Sequence, residues 1–442
     1  MNAKPFSVAM AMLAAAAIAA DAVEENASAF RWGGDIRLRQ ELWDDIPLPT
    51  ETPIVTRNGY SNTYRLRSRV FGAYDLTDWM TANVRLTHMF YDTVAGPESF
   101  DWPDELSLDT ANLELRDLTG DGSKLVLGRQ DIFLGSGRLV FEGTALDAAR
   151  TTFFDGVLLH QPLGEPFSAD LFAVYDKDED ECVIGGVHRQ LRGYSPSVDG
   201  RDEAAAGLFL NGALLDKALS GSLYYIWKHE TTARAADGTE VPNADIHTAG
   251  LLLRPKFSET LSGEFEYAKQ FDPADADGID ATLGYAGIKI DQGAESSIPA
   301  FGLDVTYLSG DDPDTRRNEA FNPLFSRYPF LSELMIYCFD TEGAGNWNNI
   351  IHPRATVTAK YADHTLMLAG GPVYAEERNG AGGGRDRGML YIAQWNFPLF
   401  AGSKEGYGKT SGCILAEILD PGDYYLSDHT AYFFRWQIIV AF

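Results

Sequence analysis

The sequence is short of cysteine and of basic residues, and each shortage excludes a class of protein. Three cysteines (Cys182, Cys338 and Cys413) in 442 residues are too few for a disulfide scaffold and lack metal-ligand spacing. A single Cys182–Cys338 bridge stays open, although three separate thiols are the interpretation we favour. The 36 Lys and Arg against 64 Asp and Glu give a formal net charge of -28. Because phosphate binding needs a basic footprint, we expect no nucleic-acid partner and no general affinity for anionic lipid surfaces.

Long apolar runs are also missing after the N-terminus. No later stretch reaches the roughly 20 apolar residues that a membrane-spanning helix needs. The chain is nevertheless 45% hydrophobic and 12% aromatic, which is too rich for disorder. Its 43 glycines and 20 tyrosines favour turns and strands. If the protein enters a membrane, we expect it to do so with strands.

The N-terminus has the layout of a secretory signal peptide. Lys4 precedes an apolar run over residues 6–20, and small residues follow at Ala20 and Ala22. A charged start, a short apolar core and a small-residue end are typical of an export signal. We therefore predict a signal peptide over residues 1–22 and a single mature domain over residues 23–442. An N-terminal membrane anchor is the alternative.

The mature chain alternates apolar and charged residues with a period of two. Such alternation indicates strands with one apolar and one polar face. It recurs at residues 64–76, 223–227 and 301–307. The first strand sets the pattern, with Phe30, Trp32, Ile36, Leu38 and Leu42 on one parity and Arg31, Asp35, Arg37, Arg39 and Glu41 on the other.

The connections between these strands alternate in length. Links such as 77–79 and 362–364 are short, whereas 177–203 and 310–347 are long. Short periplasmic turns alternating with long external loops are the topology of bacterial barrels. The fold class predicted is all-β, a transmembrane antiparallel β-barrel of about 18 strands. Acidic runs at 176–181, 272–280 and 311–314 then fall on the external side.

The pattern of the last predicted strand indicates which membrane the barrel enters. Aromatic residues alternate along residues 432–442, and Phe442 ends the chain. This strand resembles the assembly signal of bacterial outer-membrane barrels. We therefore expect the protein in the bacterial outer membrane, with outer-membrane lipid as its surroundings.

Many arginines lie at the positions of the predicted strands that face the inside of the barrel. Guanidinium groups bind carboxylates in a bidentate manner, and rings of them select anions in pores. The alternative is that they form ion-pair networks with inward acids such as Glu264 and Glu266. The lumen candidates are Arg37, Arg39, Arg65, Arg67, Arg69, Arg85, Arg116, Arg354, Lys360 and Arg435.

Two stretches carry a family resemblance. Residues 127–130 (LGRQ), 135–139 (GSGRL) and 154–157 (FDGV) look like the core motif of the alginate-export outer-membrane barrels. Residues 307–312 (YLSGDD) and 321–325 (FNPLF) are similar to a second signature of that family. The resemblance implies an 18-stranded porin that passes an anionic uronate polymer through an arginine-lined channel. It adds Arg129 and Arg138 to the lumen candidates, although strand parity alone leaves Arg129 open.

The function predicted is an outer-membrane porin for anionic polysaccharide or uronate oligosaccharides. A general anion-selective channel and a purely structural barrel are the alternatives. Export and uptake both fit, and export would require periplasmic secretion partners. Catalysis is not expected, because His88 lies on the lipid-facing parity without an evident Ser–acid partner. We expect no catalytic residue, no metal and no cofactor.

Two connections break the length rule. We predict that segment 398–410 folds back towards the pore mouth as a gate or plug, with an ordinary longer turn as the equal alternative. External loop 310–347 carries Phe321, Phe325 and Trp347 among other aromatics, and cannot be a bare solvated loop. We expect it to pack into or over the barrel, and a structural cluster is the interpretation we favour.

Overall fold

The computed structural model describes most of residues 29–442. It covers residues 29–48, 56–57, 60–95, 105–142, 154–177, 183–184, 198–199, 202–235, 240–274, 278–293, 296, 298–326, 331–335, 347–400 and 408–442. The predicted signal peptide, Cys182 and Cys338 lie outside these ranges. Cys413 is described and is a buried free thiol.

Eighteen strands form one closed barrel. Each pairs antiparallel with its neighbours in chain order, and the last strand pairs with the first. The strands are β1 (Phe30–Asp44), β2 (Ser61–Thr77), β3 (Met80–Ala95), β4 (Glu105–Arg116), β5 (Lys124–Gln130), β6 (Phe154–Pro162), β7 (Phe167–Asp176), β8 (Glu203–Leu214), β9 (Leu219–Glu230), β10 (Ala244–Pro255), β11 (Leu261–Phe271), β12 (Thr282–Ile290), β13 (Ala300–Leu308), β14 (Ile350–Tyr361), β15 (His364–Tyr374), β16 (Asp386–Phe400), β17 (Thr410–Asp420) and β18 (Ala431–Ala441).

Short strand pairs form within the connections at one end of the barrel. Val183–Ile184 adds to β4 at Leu106 and Ser107. Ile46–Pro47 pairs with Thr56–Arg57, and Ile132–Leu134 pairs with Val140–Glu142. Val198–Asp199, Ala233–Ala235 and Glu240–Val241 form a small three-stranded sheet.

The two ends of the barrel differ in their connections. At the turn end, β2 and β3 are joined by residues 78–79, β8 and β9 by 215–218, and β14 and β15 by 362–363. At the loop end, β1 and β2 are separated by residues 45–60, and β13 and β14 by 309–349. The predicted alternation of short and long links is therefore confirmed. Within the described ranges, no helix has the length and apolarity to cross a membrane.

The outer surface is apolar and is bordered by aromatic residues. Leu38, Val84, Leu223, Leu251 and Leu303 are exposed along its middle. A tall apolar band between two aromatic girdles is the lipid-facing surface of an outer-membrane barrel. Exposed aromatics at the turn end include Phe30, Trp79, Phe301, Tyr361 and Phe400, and those at the loop end include Tyr60, Tyr175, Tyr267, Tyr374 and Tyr432.

The C-terminal residue completes the seam between β18 and β1. Gly34 donates its amide to the Phe442 carbonyl at 2.9 Å, and Phe442 donates to the Gly34 carbonyl at 3.0 Å. The Phe442 ring lies edge-on to Trp32, with centroids 6.3 Å apart. A Cβ atom at Gly34 would meet the Arg69 carbonyl oxygen at 2.5 Å and the Phe442 ring at 2.7 Å. The seam therefore depends on a glycine at this position.

We predict that Gly34→Ala destabilises the barrel by about 1–3 kcal/mol, because the added methyl overpacks the seam. Denaturant unfolding in detergent micelles measures the effect. Gly302→Ala is the matched control, since the nearest atom to its added Cβ would be 3.7 Å away. Equal stability of the two variants would show that the seam tolerates a side chain.

The core of the molecule lies inside the barrel at its loop end. Inward residues such as Phe209, Ile226, Leu283 and Leu390 are fully or almost fully buried there. They pack against residues of the connections, including Ile132, Leu139, Phe321, Leu324 and Trp347. Segments of two loops therefore fold into the lumen and narrow it.

Candidate functional site in the barrel lumen

An arginine wall lines one side of the lumen. We use this name for Arg37, Arg39, Arg65, Arg67, Arg69 and Arg435. The register brings them together, because Arg39 lies opposite Arg65, and Arg37 lies opposite Arg67. Arg435 lies opposite Glu41 across the seam. At about 3.4 Å per residue, the rows from Asp35 to Glu41 extend over about 20 Å of the wall.

Two carboxylates hold these arginines in place. Glu41 accepts hydrogen bonds from Arg39 at 3.1 Å, Arg65 at 2.7 Å and Arg435 at 2.6 Å. Asp35 accepts from Arg67 at 3.1 Å and from Arg69 at 2.7 Å.

Among the described residues, arginines outnumber carboxylates along the arginine wall. Its six guanidinium groups have Asp35, Glu41 and Glu333 as described carboxylate partners, and Glu333 binds Arg435 at 2.6 Å. Arg37 is fully buried, whereas the side chain of Arg69 remains 17% exposed. A ligand in the lumen therefore meets Arg69 more readily than Arg37.

Arg85 extends the positive surface onto β3. It binds Asp109 of β4 at 2.8 Å and Asp131 at 2.8 Å. Asp131 begins the segment 131–142, which we call the first lumen loop. Arg85 therefore anchors the start of that loop to the barrel wall.

We predict that Glu41→Gln lowers the free energy of unfolding by about 3 kcal/mol, because it leaves three buried arginines without their shared carboxylate. Denaturant titration of the folded protein in detergent measures this loss. Glu114→Gln is the control, since Glu114 binds the half-exposed Arg116 and Lys124 at 2.7 Å each. That change should cost less than about 1 kcal/mol. A Glu41 variant as stable as the control would contradict the structural role of Glu41.

The second lumen loop, which we define as the described residues 309–326 and 331–335, contacts two sides of the barrel. On one side, the Gln270 amide donates to the Asn322 carbonyl at 2.7 Å, and Lys228 donates to the Leu324 carbonyl at 3.0 Å. On the other side, Glu417 accepts from the Leu334 amide at 2.9 Å. Lys228 on β9 and Arg435 on β18, which binds Glu333, lie half the barrel apart in strand order. The two described parts of the loop therefore contact opposite walls of the lumen.

The aromatics of this connection are buried inside the barrel. Phe321, Phe325 and Trp347 are each at most 2% exposed. The Phe325 ring lies edge-on to Phe154, with centroids 5.1 Å apart. For the described residues, the expectation that this connection packs into the barrel is confirmed.

The first lumen loop contacts the second lumen loop inside the barrel. The Phe325 amide donates to the Leu139 carbonyl at 3.1 Å. Arg138 of the first loop binds Glu264 and Glu266 at 2.8 Å each, and its guanidinium lies 3.5 Å from the centroid of the Tyr285 ring. The ion-pair alternative expected the lumen arginines to pair with inward acids such as Glu264 and Glu266, and Arg138 makes these contacts. The two loops together narrow the lumen beside the arginine wall.

The remaining candidates are spread over the barrel. Arg354 on β14 lies in the lumen, about a quarter of the barrel away from the arginine wall, and binds Asp304 at 3.2 Å. Arg116 and Lys360 lie inward near the turn end, where Arg116 binds Glu114 at 2.7 Å.

Arg129 departs from the predicted set. It lies opposite Ala111 and Asp155, and so shares the parity of the outward-facing Leu113. Its guanidinium binds Asp155 at 2.7 Å. The family motif suggested the lumen, but the register places Arg129 on the outer parity, so we remove it from the lumen-lining set.

Two buried cations of the lumen were not among the candidates. Lys228 is fully buried and binds Glu203 at 2.6 Å and Glu230 at 2.7 Å. Lys228 could have been predicted from the sequence, because it lies on the strand parity opposite to Leu223 and Trp227. Arg387 is also fully buried, with its guanidinium 4.5 Å from the Tyr424 ring, and no local pattern marks it.

The described parts of the acidic runs lie at the loop end, as predicted. There, the Lys269 and Arg317 side chains hold the pKa of the Asp280 carboxyl below its usual range. Desolvation and the carboxylates of Asp312, Glu376 and Glu319 raise the pKa of Glu377. Acidic charge is therefore concentrated at one mouth of the barrel, while the arginine wall lies within it.

No protein-family model matches the sequence, and no curated protein sequence matches it either. Solved structures do match. The chain is similar to OccK7 (OpdD) of Pseudomonas aeruginosa at 14% identity and a TM-score of 0.56, over 93% of this chain and 98% of that one. It is similar to OccAB2 of Acinetobacter baumannii at 11% identity and a TM-score of 0.58, over 93% and 98%.

The outer membrane protein OprD of Pseudomonas aeruginosa also matches, at 12% identity and a TM-score of 0.52, over 93% of this chain and 94% of that one. At such low identities, these likenesses show the fold. The predicted all-β fold, an antiparallel barrel of 18 strands of the bacterial outer-membrane type, is confirmed.

Proposed function

We propose that the protein is an outer-membrane channel selective for anions, and that it passes uronate oligosaccharides or a related anionic polysaccharide. The arginine wall carries this proposal. Among the described residues, six arginines lie beside three carboxylates along about 20 Å of the lumen, and we expect this wall to attract a chain of negative charges. We also propose that the partners of the protein are the anionic saccharide itself and, if it exports the polymer, a periplasmic secretion apparatus.

The chemistry of uronates fits this wall. Each uronate unit carries one carboxylate, and guanidinium groups bind carboxylates through two parallel hydrogen bonds. Rows of arginines at successive depths let one carboxylate leave a row as another arrives. Binding that is shared among several sites permits both entry and release. The resemblance to the alginate-export motifs, carried by residues 127–130, 135–139, 154–157, 307–312 and 321–325, supports the same substrate class.

A structural barrel is the second candidate. It is favoured by the deep burial of Arg37, Arg39 and Arg67, each at most 4% exposed, and by the loops that fold into the lumen. In that case, the arginines and acids would form a closed network that holds the barrel together. Recordings in planar lipid bilayers separate the candidates, because a structural barrel conducts no ions.

We predict that trimannuronate blocks the current through the wild-type channel, and that Arg69→Gln weakens this block about tenfold. Arg69 is the suitable target because it is the most exposed of the arginine wall, and Asp35 keeps Arg67 as a partner when it is replaced. Arg69→Lys should give an intermediate block, since it keeps the charge but loses the guanidinium fork.

Arg385→Gln is the control with the same change of charge. Arg385 is exposed in the connection between β15 and β16, and its contact with Glu377 is 3.9 Å long. Its replacement should leave the block unchanged. Equal block in the Arg69 and Arg385 variants would refute the role of the arginine wall, and absence of any current would favour the structural barrel.

A further inference from the structure

A small cavity lies in the lumen away from the arginine wall. Its volume is about 150 Å³, and it is partly open, between the first lumen loop, Leu331 of the second lumen loop and strands β12–β14. An engineered cavity of about 150 Å³ holds a benzene molecule, so this volume accommodates one six-membered ring. Its lining includes Phe133, Ser136, Arg138, Tyr285, Thr306 and Arg354.

Both arginines that line this cavity are paired with carboxylates. Arg138 is paired with Glu264 and Glu266, and Arg354 is paired with Asp304. The cavity is therefore suited to a ligand without a negative charge. It presents planar charged groups and hydroxyls, which can donate to and accept from a neutral ligand rich in hydroxyl groups.

An aromatic face is presented beside these polar groups. The Phe133 side chain is 57% exposed, and its ring is held edge-on by Phe141 at a centroid distance of 5.2 Å. Gly137 makes this arrangement fit, because a Cβ atom there would lie 2.5 Å from the Phe133 ring. Gly137 also has a φ of +81°, which disfavours other residues. The loop is therefore built to leave the Phe133 ring accessible.

We propose that this cavity is a saccharide-ring subsite, in which Phe133 packs against the C–H face of one pyranose and Arg138, Arg354 and Ser136 bind its hydroxyl groups. This inference deepens the proposed function and rests on it for the identity of the passing chain. The arginine wall then recognises the acidic edge of each unit, and the cavity recognises its ring. Uncharged sugars bind to the cavity alone.

Space for the rest of a saccharide chain adjoins the cavity. A wider vestibule of about 480 Å³ shares Tyr285 with it and lies on the turn side of β10–β14. Small inward residues create this vestibule, among them Ser262, Gly287, Gly302 and Thr356. A ring in the cavity can therefore continue into a bound chain of several units.

Binding of the neutral trisaccharide mannotriose tests the proposal without requiring current. Saturation-transfer NMR on the full-length protein in detergent should show transfer to its ring protons. Phe133→Ala should weaken binding about tenfold, through loss of the aromatic face. Arg354→Gln, which leaves the first lumen loop unaltered, should weaken binding as well. Phe71→Ala is the control, since Phe71 is an exposed aromatic on the lumen parity near the turn end.

The outcomes separate this proposal from the proposed function. Absence of mannotriose binding, or equal binding in the wild type and both cavity variants, would overturn the subsite. Trimannuronate block that depends on Arg69 would then still support the anion channel. Conversely, mannotriose binding that is lost in Phe133→Ala and Arg354→Gln would support the subsite even in a barrel that conducts no ions.

Discussion

A strand that crosses a bilayer must pair its backbone amides and carbonyls with other strands, because hydrocarbon offers no hydrogen-bonding partners. In this protein, the requirement is met by closing eighteen strands through the pairing of β18 with β1. Closure fixes which side chains face the lipid and which face the lumen. The pairing of β1 with β2 places Arg39 beside Arg65 and Arg37 beside Arg67, and closure adds Arg435 beside Glu41. The arginine wall is thus a consequence of strand pairing and barrel closure, and Asp35 and Glu41 are carboxylates that offset its positive charge.

The two signs of charge occupy different places in this architecture. The net charge of -28 describes the whole chain, and acidic residues such as Asp311, Asp312 and Glu377 gather at the loop end. The arginine wall lies inside the barrel, where walls of low dielectric constant strengthen electrostatic interactions. Two lumen loops narrow the lumen and bring aromatic and hydroxyl-bearing groups into it. The lumen therefore presents different chemistry on different parts of its wall.

Much of the barrel could be predicted from the sequence, because the period of two is a local property. Parity alone placed Arg37, Arg67 and Arg435 on the inner face, and the lengths of the links gave the topology. The insertion of the loops could not be predicted in the same way. The hydrogen bond between Gln270 and Asn322 joins residues that are distant in the sequence, and no local pattern encodes it. Arg129 shows the limit of motif reasoning, since the register with Ala111 and Asp155 decided its side.

The central claim is that the lumen of this acidic protein attracts anions. The most direct test is the zero-current potential of single wild-type channels in a planar bilayer that separates two KCl concentrations. We predict a potential whose sign corresponds to chloride passing more readily than potassium. A potential of the opposite sign, or a purified and folded barrel that never conducts, would contradict the account.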